Sequence, residues 1–269
     1  MYDPSLIVEL RDGLPCLDIP SYTLKRYILY RIIFAEWTKW IAPKTEWIGY
    51  LDLTAGPGYS IVREYKDNYQ VAASPVIALK TEPKFTNLIF IEREKNFYDA
   101  LEKRVKTRFA EREKNCRFLL GDANVYVRSA IKMLEGHCLV CVDPFRPTDI
   151  SWKTLEKILE EDFCDLIGAY PAPLVQRSIG RHSGRYFVPG VHRHMPPGFL
   201  LNIKKRIFQK SAEFCRKVIK QNFGRFSIHC FVKELPYPIL FCTKDFNLAN
   251  HLYDKLEAEK RHDQIIYEK

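Results

Sequence analysis

Four short apolar runs in this chain each end in a carboxylate, and one of them breaks at once into a turn with two glycines. Leu51-Asp52-Leu53-Thr54-Ala55-Gly56-Pro57-Gly58 is that run. Downstream, Leu88 to Ile91 ends in Glu92, Phe118 to Gly121 ends in Asp122, and Cys138 to Val142 ends in Asp143-Pro144-Phe145. In an open parallel sheet the ligand sits outside the carboxyl ends of the strands, where strand order reverses. Four acids at four strand ends would therefore face one crevice. A turn with two glycines lets a cofactor lie directly against the backbone.

The residue pattern separates two cofactor classes. A dinucleotide fingerprint needs a third small residue and a helix opening straight from the turn, so that the pyrophosphate meets the helix amino terminus. Here Gly56-Pro57-Gly58 is followed by Tyr59-Ser60-Ile61, and Ile61 is too bulky for that close packing. Helix-start chemistry comes only at Ser74-Pro75, with Ser74 as N-cap and Pro75 in the first turn. Residues 59–73 therefore read as an inserted loop. Glu92 stands 34 positions beyond Gly58, whereas the acid of the dinucleotide pattern comes after about 20 residues; the insertion accounts for the excess. Glu92 suits a ribose diol in either class, and Asp122 suits an adenine amino group. No diphosphate anchor is visible, which favours a cofactor without one.

The succession Asp52 to Gly58, Ala73 to Leu79, Phe90-Ile91-Glu92, Gly121-Asp122-Ala123-Asn124 and Val142 to Phe145 resembles the three-Cys-motif partner proteins, a group of Rossmann-like S-adenosylmethionine-dependent methyltransferases. It is also similar to bacterial ribosomal-RNA adenine N6-methyltransferases with a Gly-Ser-Pro-Leu segment after the glycine turn. The match spans about residues 23–168, including an early helix with Lys25. It departs at Ala73, where the family usually has Gly, and in the residues that follow Asp143-Pro144, which leaves the target atom open. The resemblance implies an α/β three-layer fold with a mostly parallel sheet and a C-terminal antiparallel hairpin strand. It implies S-adenosylmethionine held by Lys25, Asp52, Thr54, Gly56, Gly58, Ser74, Glu92, Asp122 and Ala123. Catalysis would fall to Asp143, Pro144 and Phe145: the carboxylate and the carbonyl beside Pro144 accept hydrogen bonds from an amino group, and Phe145 stacks on the base. The family name further implies a radical-S-adenosylmethionine protein partner.

Composition limits the rest. The chain has 269 residues, 46% of them apolar, and a net charge of +9, enough to bury one good core. No run reaches the roughly 18–20 apolar residues of a membrane span, and the acidic amino terminus lacks a secretion-signal layout; a cytoplasmic protein is the expectation. Eight scattered cysteines read as reduced core thiols. Cys138 and Cys141, three apart on a strand, face opposite sides and cannot share a metal. No metal is expected at His182, His192 and His194, which stand among arginines.

The positive charge belongs to one segment. Residues 174–233 hold thirteen Lys or Arg against one acid, Glu213, a balance of +12; elsewhere there are 29 basic and 32 acidic residues, or −3. Arg177, Arg181, Arg185, Arg193, Lys204, Lys205 and Arg206 lead this segment, interleaved with Tyr186, Phe187, Phe199 and Phe208. Basic side chains neutralise phosphates and aromatics stack on unpaired bases, so a nucleic-acid substrate follows, RNA before DNA. Carbon-5 of a pyrimidine is not the expected acceptor, because no Pro-Cys follows the fourth strand; a nitrogen is expected before an oxygen. Two other readings stay open: a non-catalytic nucleic-acid or protein-binding module, and a methyltransferase for a protein or small molecule.

These residues need elements to position them. Periodicity predicts helices at 23–41, 75–81, 95–111, 123–134 and 151–161, alternating with strands at 47–53, 87–92, 116–120, 138–142 and 164–169. An amphipathic helix at 199–223, a hairpin around Pro236-Tyr237-Pro238 and a last helix at 246–261 follow. The organisation expected is one methyltransferase-like domain over 1–269, with a helical extension at 1–45 and the basic insertion at 174–233.

Overall fold

Ile48-Gly49-Tyr50-Leu51-Asp52 carries no alternation of polar and apolar residues, the mark of a strand covered on both faces, and all five residues of strand β3 (Ile48–Asp52) are buried. The structure is a computed structural model that describes residues 6–65, 68–145, 149–169, 217–232, 239–263 and 265–268. The chain clusters into two compact units, 1–141 and 142–269.

In the first unit β3 pairs in parallel with β6 (Asn87–Glu92) on one side and with β8 (His137–Val142) on the other, and β6 pairs in parallel with β7 (Cys116–Leu120). The spatial order β8-β3-β6-β7 reverses at β3, between the first and the fourth of these strands along the chain. Helices α1 (Thr23–Ile41), α2 (Ser74–Lys80), α3 (Lys95–Arg108) and α4 (Ala123–Lys132) alternate with these strands. The alternation read from the sequence is the architecture observed, an α/β fold with a parallel central sheet. Its core is aromatic: Trp37 stacks on Phe85 with centroids 5.8 Å apart, and Tyr50 meets Phe34 edge-on at 5.3 Å. Such pairs contribute beyond their buried area.

Residues 59–73 are not a loop. They form the antiparallel hairpin β4 (Tyr59–Val62) and β5 (Tyr69–Ala72). The amino-terminal extension, expected to be helical, adds two strands before α1: β1 (Val8–Leu10) pairs antiparallel with β5, and β2 (Leu17–Ile19) pairs in parallel with β4. The resulting sheet has the order β1-β5-β4-β2. Strands of three or four residues give no readable period; β1 and β2 take their ladders from partners 43 to 63 residues away, and β4 and β5 pair with each other as well. Ser74 is likewise not the N-cap of α2. Ala73 takes that position without a side-chain bond; its N–H donates to the Gly58 carbonyl at 2.9 Å and its carbonyl accepts from Ile77 N–H at 3.0 Å. Contact with the glycine turn starts the helix one residue earlier than the serine rule suggests.

In the second unit α5 (Trp152–Leu159) leads to β9 (Cys164–Ala169), which pairs antiparallel with β11 (Ile239–Thr243); β11 pairs with β10 (Phe226–Val232), and β10 with β12 (Ile265–Glu268). The expected hairpin is thus β10 and β11, and the last helix is α6 (Phe246–Asp263). Residues 217–223 are helical, and the rest of the helix expected at 199–223 lies outside the described residues. Arg225, fully buried, donates to the carbonyls of Leu159 at 2.9 Å, Cys164 at 2.6 Å and Glu161 at 2.5 Å, joining the start of β10 to the α5–β9 connection.

Candidate functional site

β3 delivers Asp52 to the carboxyl edge of the parallel sheet, where the chain leaves regular structure through Leu53 to Gly58. Asp52 is fully buried. Its Oδ2 accepts from the Tyr50 hydroxyl at 2.8 Å and its Oδ1 from the Thr54 N–H at 3.2 Å, so one carboxylate ties the strand below the turn to the first residue above it. Burial, with the Asp52 charge beside it, holds the Tyr50 hydroxyl well above its ordinary pKa, and it stays a neutral donor. Leu53 N–H reaches the Cys141 carbonyl on β8 at 3.0 Å and Ala55 N–H the Ile91 carbonyl on β6 at 2.9 Å. The turn therefore grows from the strand at which the order reverses and is pinned to both neighbours.

Glu92, at the end of β6, completes the turn. Its Oε2 accepts from Gly56 N–H at 2.7 Å and its Oε1 from Glu94 N–H at 2.7 Å. Its own carbonyl accepts from Gly121 N–H at 2.9 Å, which brings the end of β7 alongside. Asp122 then caps α4: its Oδ1 accepts from the Asn124 N–H and from the Asn124 Nδ2, both at 2.8 Å. Ala123 is buried at the first position of that helix. Five expected residues, Asp52, Thr54, Gly56, Glu92 and Asp122, thus stand in one continuous hydrogen-bonded edge; Gly58 and Ser74 join it through the Ala73 bond.

The two glycines are needed for different reasons. Both have positive φ, +61° at Gly56 and +88° at Gly58, a conformation strained for other residues. A Cβ on Gly58 would come within 2.9 Å of Leu101 Cδ1 and 3.2 Å of Val76 Cγ2, whereas one on Gly56 would meet nothing within 4 Å. Gly58 faces packed protein and Gly56 faces open space. Thr54 Oγ1 is buried without a hydrogen-bond partner among the described residues. These features fit a nucleoside-bearing cofactor: an open glycine face, a buried hydroxyl to be satisfied, and carboxylates that retain acceptor capacity after their backbone bonds. They do not suit a dinucleotide, because the turn runs into β4 and not into a helix amino terminus.

The remaining expected residues are spread more widely. Lys25 lies half-buried near the start of α1, the helix that packs on α2. Asp143 and Pro144 follow β8 directly and are half-buried, and Phe145 beside them is 68% exposed. Arg177, Arg181, Arg185, Arg193, Lys204, Lys205 and Arg206 lie outside the described residues. No group of three metal-ligating side chains occurs among the described residues. No described helix is long and apolar enough to cross a membrane.

One residue beneath the site escaped the sequence reading. Arg104, on α3, is fully buried. Its Nε and Nη2 each donate at 2.8 Å to the two carboxylate oxygens of Asp12, and its Nη1 donates to the carbonyls of Pro15 at 2.8 Å and Pro57 at 2.6 Å. Burial opposes the Asp12 charge, but the Arg104 fork outweighs it and holds that carboxyl far below its ordinary pKa. The signal was present: Arg104 shares the buried stripe of α3 with Ala100, Leu101 and Val105, and a charge on an apolar stripe needs a partner.

No protein-family model matches the chain, and no curated protein does. Among solved structures it is similar to protein LPL1258 from Legionella pneumophila str. Philadelphia 1, at 10% identity over 90% of this chain and 95% of that one, with a TM-score of 0.59. It is also similar to the O-methyltransferase TomG from Streptomyces achromogenes in complex with SAM, at 13% identity over 81% of this chain and 78% of that one, TM-score 0.46. A third likeness is to the small RNA methyltransferase HEN1, at 9% identity over 87% of this chain and 27% of that one, TM-score 0.48. At 10% identity the likeness to LPL1258 is one of fold. The chain is an α/β protein of the Rossmann-like kind.

Proposed function

We propose that this protein is an S-adenosylmethionine-dependent methyltransferase that acts on nucleic acid, RNA in preference to DNA, at an exocyclic or ring nitrogen. The observation that carries the reading is the glycine turn at the point of strand reversal, open at Gly56 and held by Glu92. Glu92 would accept hydrogen bonds from the ribose diol, Asp122 would receive the adenine amino group, and Thr54 would satisfy its hydroxyl on the bound cofactor. The cofactor itself supplies an activated methyl carbon, so the protein has to position a nucleophile and exclude water. Asp143 and the carbonyl beside Pro144 would orient an amino group as acceptors, and the exposed ring of Phe145 supports stacking on an unpaired base. The basic balance of residues 174–233 supports a phosphate-bearing substrate. The motif resemblance to the three-Cys-motif partner family points the same way.

Titration calorimetry with S-adenosylmethionine and S-adenosylhomocysteine, with NAD as control, is the test. Micromolar binding of the first two and none of NAD is expected; no binding of either would end the reading. Methyl transfer to RNA should then vanish in Asp143→Ala while cofactor affinity stays near that of the parent. Undiminished transfer by that variant would remove Asp143 from the mechanism.

A further inference from the structure

We propose that Arg104 is a positioning residue for the cofactor turn, holding through one nitrogen both the Pro57 carbonyl and the amino-terminal strap 12–16, and so fixing the peptide unit that carries the Gly58 amide. This rests on the reading of the turn as the seat of the cofactor.

A guanidinium has five N–H groups in a rigid plane. In Arg104 all five are directed at acceptors: one from Nε to Asp12 Oδ2, two from Nη1 to the carbonyls of Pro15 and Pro57, and those of Nη2 to Asp12 Oδ1 and to Leu14 O at 3.4 Å or Cys16 Sγ at 3.3 Å. The strap and the turn are irregular backbone, and their carbonyls at Pro15 and Pro57 are satisfied by a side chain from a third element. Tyr59, two residues beyond Pro57, lies with its ring 5.2 Å below the same guanidinium. The chain from Pro57 to Tyr59 is thus wrapped on Arg104 from two directions.

Stability alone does not explain this arrangement. A buried ion pair is often no more stabilising than apolar residues of similar volume, so the Asp12 pair by itself gives no reason for a guanidinium here. The fork geometry does. A cation at 2.6 Å from the Pro57 carbonyl polarises that peptide unit and strengthens its N–H, that of Gly58, as a donor. It also fixes the orientation of that unit, which lies between Pro57 and Gly58, the latter at a positive φ of +88°. A lysine, with three donors on one nitrogen, cannot span Asp12 and the two carbonyls.

Arg104→Lys tests this, read by hydrogen exchange and by titration with S-adenosylhomocysteine. The amides of Ala55, Gly56 and Ala73, which bond to Ile91 O, Glu92 Oε2 and Gly58 O, should exchange at least about tenfold faster, while the amides of β6 keep their protection. Affinity should fall about 10- to 100-fold, the factor that matches one charge-assisted hydrogen bond. Turn amides that keep parental protection would overturn the proposal, as would protection lost equally from turn and β6, which would make Arg104 a residue of the whole fold. If Arg104→Lys does not accumulate folded, Asp12→Asn decides by the same exchange measurement: faster exchange confined to the turn supports the role, and an unchanged turn overturns it. The two readings separate cleanly. A parent that binds no cofactor but whose turn loosens in Arg104→Lys retains the positioning role and loses the proposed activity. A parent that binds, with a variant that binds equally well, loses the positioning role alone.

Discussion

Replacing Glu92 by Gln removes one charge and exchanges one acceptor oxygen for an NH2 group at nearly constant shape, so its effect can be worked from the bonds it makes. The carboxylate accepts from Gly56 N–H and Glu94 N–H, each at 2.7 Å, and the residue is 9% exposed. An amide side chain has one acceptor oxygen and one donor nitrogen. Whichever way it turns, its NH2 group faces a backbone N–H, donor against donor. One charge-assisted hydrogen bond is lost outright, about 1.5–3 kcal/mol, and the other weakens to a neutral one. For a chain of this size that lowers Tm by about 3–12 °C. The same loss loosens Gly56 and removes the anionic acceptor proposed for the ribose diol, raising the Kd for S-adenosylhomocysteine about tenfold or more. Differential scanning fluorimetry and calorimetric titration read the two effects. A Tm within about 1 °C of the parent would refute the claim that Glu92 holds the turn. A lowered Tm with unchanged affinity would refute its role toward the cofactor.

The two glycines should part company under the same assays. Gly56→Ala meets only backbone strain, of order 1 kcal/mol, so its expected signature is lost cofactor affinity with a modest drop in Tm; Gly58→Ala also drives a Cβ to 2.9 Å from Leu101 Cδ1 and should lower Tm more. A reversed order of melting temperatures would show that the packing around Gly58 yields. Acid should weaken the Asp12–Arg104 link in a defined window. The folded carboxyl titrates far below its ordinary value, so its contribution is complete above the unfolded value near 4, and drains away as pH falls toward the folded one. Urea midpoints measured from pH 7 to pH 3 should fall more steeply for the parent than for Asp12→Asn, and parallel curves would contradict the link.

The four strands that end in acids, the helices between them and the absence of a helix directly after the glycine turn were all legible in the sequence. Each is a local property: Ile48–Asp52 and Cys138–Val142 are apolar throughout because both faces are covered, and Gly56 and Gly58 announce their own backbone freedom. Other features depended on chain segments far apart in sequence. The strands at 8–10, 17–19, 59–62 and 69–72 are too short to carry a period and exist because they pair with one another, turning an expected loop into a hairpin. Ser74 yielded the cap of α2 to Ala73 because the Gly58 carbonyl lay within reach. Glu92 and Asp52 could be placed at strand ends from the sequence, yet only the fold revealed that both first bind backbone amides and shape the turn. Arg104 shows the difference most clearly. Its position on an apolar stripe is written in the sequence, but its partners Asp12, Pro15 and Pro57 lie 92, 89 and 47 residues away. Only chain closure brings them to one guanidinium, since a hydrogen bond over a few ångströms carries no trace of separation along the chain.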